Sequence, residues 1–133
     1  MSTFPHTRKE GLYRPILPIE FIYPHGSYPP ITFEGLIDSG ANFSVFPAWI
    51  SSLFGHNLEK GKIYTCSIAD KKIHSYLHEM RVKICGEEFN WNIYFSKDID
   101  TWQFGVLGHE LFFNQFKVAF NYPEKTFSLE CLI

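Results

Sequence analysis

The chain has 133 residues, of which 45% are hydrophobic and 20% are charged, and its formal net charge is −2. These values are typical of one soluble globular domain that buries a core of its own. Because the sequence has no dense run of Lys or Arg, neither nucleic acid nor an anionic membrane surface is expected as a partner.

Cysteine usage and the first residues predict the compartment. Cys66, Cys85 and Cys131 are widely spaced and form no C-x-x-C pair, so we expect buried free thiols in a reducing compartment rather than a disulfide framework or a zinc site. The start of the chain has no apolar signal core, and no stretch suits a bilayer span. A cytoplasmic protein without metal or cofactor is expected.

The N-terminal third predicts a tail followed by two strands. Residues 1–11 are polar and predict a flexible tail, with a single domain over residues 12–133. Residues 12–23 alternate like a strand, and two prolines within them indicate an edge or bulged strand. After a turn rich in Gly and Pro, residues 31–37 predict a second strand that ends at Asp38.

The middle of the chain predicts a helix and a long hairpin. Pro47 is suited to open a short helix over residues 47–54 that Gly55 closes. Two strand-like runs, 62–68 and 73–85, surround a polar tip at 69–72. The inner face of the helix is expected to hold Trp49, Ile50, Leu53 and Phe54.

The C-terminal third predicts further strands and a short helical segment. Residues 89–95 alternate cleanly between apolar and polar side chains, and 102–108 are a short apolar run that ends in Gly108. Residues 109–116 have room for two helical turns, and 116–120 and 127–131 predict a strand pair. Because the connections are too short for parallel crossovers, an all-β, mostly antiparallel barrel or sandwich with one or two short helices is expected.

One motif points to chemistry. The order apolar-apolar-Asp-Ser-Gly-Ala at 36–41 is the signature of aspartic proteases, and Ser44 follows five residues after Ser39. A hairpin of flap length, a second hydrophobic-hydrophobic-Gly motif at 106–108, a helical segment and a closing strand pair come next. Over residues 12–131 the sequence therefore resembles the retropepsin family.

The resemblance implies a closed acid-protease barrel and a peptidase in which two carboxylates share one proton and activate water. Asp38 would supply one carboxylate, the Ser39 hydroxyl would bond across to the twin turn, and Gly40 would permit the tight backbone. Gly108 would let the second apolar strand pass closely beneath that turn. Because the chain has a single D-S-G, the second Asp38 must come from an identical chain, which predicts a homodimer.

The resemblance also implies how a peptide substrate is bound. Asn42 stands where the family often has an Asp that bonds the substrate backbone. The flap tip, Ile68, Ala69, Asp70 and Lys71, would close over an extended peptide by strand addition. Pockets that favour apolar or aromatic side chains at the scissile bond would be lined by Phe43, Val45, Leu107 and Ile68.

Two departures from the family pattern leave alternatives open. The flap tip lacks the glycines of retroviral members, and His109 follows Gly108 where viral members have an Arg that braces the dimer. Bracing would come from elsewhere, and a bond from His109 would be weaker or pH-dependent. One alternative is a retropepsin-like module that binds peptide or dimerises without hydrolysis. Another is a monomeric small-ligand barrel in which D-S-G is incidental.

Simpler local interpretations exist for the same residues. Asp38 would serve as an Asx-turn at the end of a strand. His74, His78 and Glu79 could be part of a metal site only with a further ligand. They are therefore expected to be solvated side chains of the hairpin. Cys66 or Cys85 as a nucleophile lacks a base nearby in sequence.

Overall fold

Twelve β-strands account for most of the described residues, which are 1–68 and 70–132 of a computed structural model, with only the backbone of Ile68 described. One α-helix, α1, covers Ala48–Leu53, and single helical turns lie at Pro24–Gly26, Leu58–Lys60, Lys97–Ile99 and His109–Phe113. The strands are β1 (Ser2–Pro5), β2 (Thr7–Lys9), β3 (Leu12–Arg14), β4 (Ile16–Phe21), β5 (Ile31–Ile37), β6 (Val45–Pro47), β7 (Lys62–Ile68), β8 (Lys71–Ile84), β9 (Glu87–Ser96), β10 (Gly105–Leu107), β11 (Phe116–Asn121) and β12 (Thr126–Cys131).

Six of these strands close a barrel. Their order is β4-β5-β10-β6-β9-β8, and β4 pairs with β8 to complete the ring, while β7 continues from β8 as the outer strand of a long hairpin. The predicted mostly antiparallel all-β barrel is thereby confirmed. Two pairs, β5 with β10 and β6 with β9, are parallel, which the short connections did not predict. Their members are far apart in sequence, so no direct crossover between them is needed.

The barrel core is rich in aromatic side chains, and alternation along the strands directs these side chains inward. On β9, Trp91, Ile93 and Phe95 are all buried, as the alternation of 89–95 predicts. Phe46 on β6 is fully buried as well, and a Cβ at Gly105 would lie only 2.4 Å from its ring. Gly105 is therefore required for β10 to run alongside β6.

The first residues form paired strands rather than the loose tail that their polarity predicts. Strand β1 pairs antiparallel with β12, which also pairs with β11 to give a three-stranded sheet, named here the terminal sheet. The ring of Phe4 stacks on Phe127 at 5.5 Å between centroids, and Thr3 Oγ1 lies 2.9 Å from Ser128 Oγ. The partner strand lies at the other end of the chain, so local composition could not reveal this pairing.

Helix α1 forms as predicted, but its inner face differs. Ile50 is fully buried, whereas Trp49 and Leu53 are 37% and 49% exposed. The helix turns Ala48 and Ser51 toward the core instead. With only six residues, it presents one narrow side to the barrel.

The segment after Gly108 is a single π-type turn rather than two regular helical turns. Glu110 has extended backbone angles and Leu111 has φ of +78°. The N–H groups of His109 and Glu110 donate to the carbonyls of Ala41 and Asn42 at 2.9 and 2.8 Å. Because these bonds to another loop fix its first residues, the segment does not wind into a regular helix.

Two histidine rings stack where the loop after α1 meets β8. The rings of His56 and His78 lie 4.7 Å apart between centroids with 13° between their planes. His56 Nδ1 lies 3.0 Å from Ser51 Oγ, and His78 Nε2 lies 2.8 Å from the Leu58 carbonyl oxygen. Burial, and then the neighbouring charge of His78, lower the pKa of His56 below its ordinary value.

This pair predicts a loss of stability in acid. The folded state binds a proton at His56 less readily than the unfolded chain does. The contribution of neutral His56 to the free energy of unfolding is therefore complete above about pH 6.5 and is lost as the pH falls below that value. We expect the free energy of unfolding in urea to fall between pH 7.5 and 5.5, and to fall less in His56→Gln. His25→Asn, which changes an exposed histidine, is the control. An unchanged pH dependence in His56→Gln would refute this expectation.

Candidate active site

Asp38 follows β5 directly and lies on a tight turn. Its N–H donates to the Leu107 carbonyl at 3.0 Å, and its carbonyl accepts the N–H of Ala41 at 3.2 Å. The N–H of Gly40 donates to Asp38 Oδ1 at 2.8 Å, which is the geometry of an Asx-turn. These bonds fix the carboxylate at the end of the strand, and its Oδ2 accepts no hydrogen bond from the described residues.

A buried hydroxyl ties this turn to the segment after β10. Ser44 is 2% exposed, its Oγ accepts the N–H of Gly108 at 3.1 Å, and it donates to the Glu110 carbonyl at 3.1 Å. A Cβ on Gly108 would lie 2.4 Å from the Phe43 carbonyl oxygen. Gly108 therefore passes beneath the turn, as the sequence predicts.

Removing the Ser44 hydroxyl is expected to destabilise the chain. Ser44→Ala leaves the Gly108 N–H and the Glu110 carbonyl without this partner, which costs about 1–3 kcal/mol in the free energy of unfolding. Ser75→Ala is the matched control, because Ser75 Oγ is buried but forms no hydrogen bond with a backbone group among residues 1–68 and 70–132. Urea unfolding of the two variants measures the difference, and equal losses would contradict the role given to Ser44.

His109 supports the same turn within the chain. Its Nε2 forms a hydrogen bond with the Ser39 carbonyl, and its N–H donates to the Ala41 carbonyl at 2.9 Å. His109 also stacks edge-on against Phe113 with 5.5 Å between ring centroids. Its side chain therefore positions the backbone of the D-S-G turn.

A surface groove of about 650 Å³ opens beside Asp38. Its volume falls within the range of about 300–1,000 Å³ that is usual for ligand sites. Its other lining residues are Glu10, Arg14, Leu36, Thr101, Trp102, Gln103, Phe104 and Val106. Only Asp38 among the lining residues was predicted from the sequence as a site residue, because the others come from three separate segments that are brought together by the barrel.

The remaining predicted site residues lie on the turn or the hairpin. Ser39 and Gly40 are exposed beside Asp38, and Asn42 is exposed while its carbonyl accepts the Glu110 N–H. Asp70 and Lys71 are exposed at the hairpin tip, where Asp70 has φ of +63°. Of the other two tip residues, Ala69 lies outside the described residues, and so does the side chain of Ile68.

The predicted pocket liners are mostly in the core. Leu107 and Val45 are buried, and neither is among the residues that line the groove. Leu107 pairs with Ile37 in the core, whereas the preceding pair, Val106 and Leu36, forms part of the groove. This correction follows from the alternation of side chains along a strand. Phe43 is half-buried against Tyr64, at 4.7 Å between ring centroids.

The three cysteines are free, but none is fully buried, contrary to expectation. Cys85 is exposed in the β8–β9 turn with φ of +51°, and Cys66 and Cys131 are half-buried. Partial burial of the sulfur raises the pKa of the Cys66 thiol and of the Cys85 thiol, although the Cys85 residue as a whole is exposed. A raised pKa lowers the thiolate fraction, which argues against a nucleophilic cysteine. Among the described residues, no three His, Cys, Asp or Glu side chains are grouped as a metal site requires.

The closed barrel, the D-S-G turn after β5, the glycine beneath it and the long β7–β8 hairpin together define a retropepsin-like fold, as the resemblance implied. The crystal structure of a retropepsin-like aspartic protease from Rickettsia conorii matches 98% of this chain and 99% of its own, with a TM-score of 0.65 and 16% identity. EIAV protease in complex with the inhibitor HBY-793 matches 81% of this chain and 93% of its own, with a TM-score of 0.52 and 14% identity.

At this level of identity the likeness establishes the fold. No protein-family model matches the sequence, and no curated protein does. Of the described helices, none is both long enough and apolar enough to cross a membrane.

Proposed function

We propose that this chain is an aspartic endopeptidase of the retropepsin type that acts as a homodimer. The observation that carries the proposal is the Asp38 carboxylate, held by the Gly40 N–H on a tight turn at the edge of a substrate-sized groove. The one other acidic residue that lines the groove, within the described part of the chain, is Glu10. Glu10 is exposed and makes no hydrogen bond with Asp38, so it is a poor second carboxylate.

Two copies of Asp38 supply the chemistry. One carboxylate takes a proton from a water molecule as the water oxygen attacks the peptide carbonyl carbon, and the other gives its proton to the carbonyl oxygen. Transfer of a proton to the amide nitrogen then allows the C–N bond to break. The Ser39 hydroxyl, exposed beside Asp38, bonds across to the partner's turn and holds the two carboxylates together.

The β7–β8 hairpin binds the substrate as a flap. Its strands pair from Lys62 with Leu77 to Ile68 with Lys71, so the hairpin has the length to cover an extended peptide. Its exposed tip carries Asp70 and Lys71, and Asn42 lies on the turn that follows Asp38. The partners of the chain are thus a second copy and a peptide or protein substrate. Its three free cysteines favour a reducing compartment, the cytoplasm.

The pH dependence of cleavage tests the shared proton. We expect hydrolysis of a mixed peptide library, followed by mass spectrometry, to peak on the acid side of neutrality and to fall as both Asp38 carboxylates ionise. Circular dichroism at each pH identifies any loss of activity on the acid side that comes from the unfolding predicted for the His56 pair. A profile that stays flat through neutral pH would contradict an unassisted carboxylate pair.

A second candidate is a retropepsin-like module that binds peptide or dimerises without hydrolysis. It is favoured by the tip of the β7–β8 hairpin, where charged Asp70 and Lys71 stand in place of flexible glycines. Peptide binding without cleavage at any pH between 4 and 7 would support this candidate. A third, monomeric small-ligand barrel would be supported by a single monomer species in sedimentation velocity at micromolar concentration.

A further inference from the structure

The β2–β3 hairpin forms one wall of the groove beside Asp38. Its two strands are joined by Glu10 and Gly11, both with positive φ, at +53° and +77°. Arg14, the last residue of β3, lines the groove. The carbonyl of the next residue, Pro15, accepts the Ile37 N–H at 2.9 Å. The hairpin thus fixes Arg14 beside the strand end that carries Asp38.

Within the described part of the chain, the Arg14 guanidinium has no counter-ion. Its Nε is shut off from solvent and has no hydrogen-bond partner among the described residues. Its central carbon lies 5.7 Å from the centroid of the Phe104 ring, which also lines the groove. Among residues 1–68 and 70–132, Lys9, Arg81 and Lys97 have a carboxylate within 4.0 Å, and Arg14 has none. The buried Nε loses its hydrogen bond to water without gaining one from the protein, so a ligand that brings an anion to this half-buried guanidinium is stabilised.

The carboxylates of the groove do not cancel this charge. Glu10 is exposed at the tip of the hairpin, where water and salt screen it. Asp38 is occupied by the Gly40 N–H at one oxygen. Arg14, by contrast, has its face on an aromatic ring and a planar fork of donors that matches a carboxylate.

We propose that Arg14 binds the side-chain carboxylate of an Asp or Glu located within a few residues of the scissile bond. The inference rests on the proposed function and names its substrate class: extended segments that combine an acidic residue for Arg14 with apolar or aromatic residues for Trp102, Phe104 and Leu36. An acidic residue at this place is not part of the apolar preference that the sequence predicts.

Matched peptides test the inference. Pairs that differ only by Glu or Gln are placed at each of three positions on either side of a cleaved bond and assayed near pH 5.5, where Glu is ionised. For wild type, Glu is expected to raise kcat/KM about tenfold over Gln at one position, as for a charge-assisted hydrogen bond. Arg14→Gln should bring the Glu/Gln ratio to about one, and Arg14→Glu should make Lys the preferred residue at that substrate position. The control, Arg8→Gln, changes an exposed arginine of the same hairpin and should leave the Glu/Gln ratio unchanged.

Binding to the Asp38→Asn variant separates this inference from the proposed function. Fluorescence anisotropy should show the Glu peptide bound about tenfold more tightly than its Gln partner, whether or not the wild type cleaves it. Cleavage with no Glu preference at any position contradicts the role of Arg14 alone, whereas binding with the preference but no cleavage contradicts the peptidase. If sedimentation velocity shows that Arg14→Gln does not form the dimer, the peptide preference is measured on Arg14→Lys instead. A preference that is absent in Arg14→Lys while assembly is intact, or no peptide binding at all, overturns the inference.

Discussion

Replacing Asp38 by Asn is expected to reduce peptide cleavage by about 10⁴-fold or more while leaving the fold and the dimer intact. The amide keeps the shape of the side chain and still accepts the Gly40 N–H that holds Asp38 Oδ1 at 2.8 Å. It cannot accept a proton from water, so the step that activates the nucleophile is lost.

The control for Asp38→Asn is a substitution of an acidic residue that lies away from the groove. Glu124→Gln, which changes an exposed carboxylate in the β11–β12 turn, serves as the control and should retain full activity. Single-turnover assays of purified variants give the rates, and sedimentation velocity checks that the dimer is unchanged. Cleavage by Asp38→Asn within tenfold of wild type would refute the assignment, and an equal loss in Glu10→Gln would instead point to a carboxylate pair within one chain.

Gly108→Ala is expected to destabilise the chain by about 3 kcal/mol or more and to abolish activity with it. A Cβ at this position would lie 2.4 Å from the Phe43 carbonyl oxygen and 2.6 Å from that of Ala41. Both are backbone atoms of the loop that follows Asp38, so neither can rotate away as a side chain would. Relief of the clash must move the D-S-G turn itself.

Gly26→Ala is the control for this substitution. A Cβ at Gly26 meets nothing within 4 Å, but its φ of +64° makes alanine strained there, which costs about 1 kcal/mol. Urea unfolding of both variants separates the clash from backbone strain. A loss in Gly108→Ala no larger than that in Gly26→Ala would show that the crossing beneath the turn is not tight.

Those parts of the fold that depend on local pattern follow from the sequence. The alternation on β9, the run that ends at Asp38 and the final strand pair all match the strands of the structure. Each is encoded by side chains two residues apart, so no distant segment is needed to define them.

Pairing between strands that are far apart in the sequence could not be predicted from local patterns. Residues 2–5 are a strand because β12 lies beside them, and β10 is parallel to β5, from which 67 residues separate it. The register of that parallel pair places Val106 at the groove and Leu107 in the core rather than at the expected pocket. A one-residue difference decides which face a strand residue occupies, and the sequence alone does not define it.

The same distinction applies to the candidate site, where neighbouring residues could be predicted from the sequence and residues brought together by the fold could not. Asp38, Ser39 and Gly40 are contiguous, so a short motif was enough to identify them. Arg14, Trp102 and Phe104 meet at the groove only because the β2–β3 hairpin and the segment before β10 lie on the same side of the barrel. No spacing in the sequence relates these residues.

The most direct test of the account is the activity of mixed dimers. Wild-type chain and Asp38→Asn are combined at constant total concentration, unfolded and refolded together, and assayed for cleavage. If each site needs two Asp38 residues, activity follows the square of the wild-type fraction, and an equal mixture retains about one quarter of full activity. Activity that instead falls in proportion to the wild-type fraction, with about one half remaining in the equal mixture, would show that each chain acts alone and would contradict the proposal.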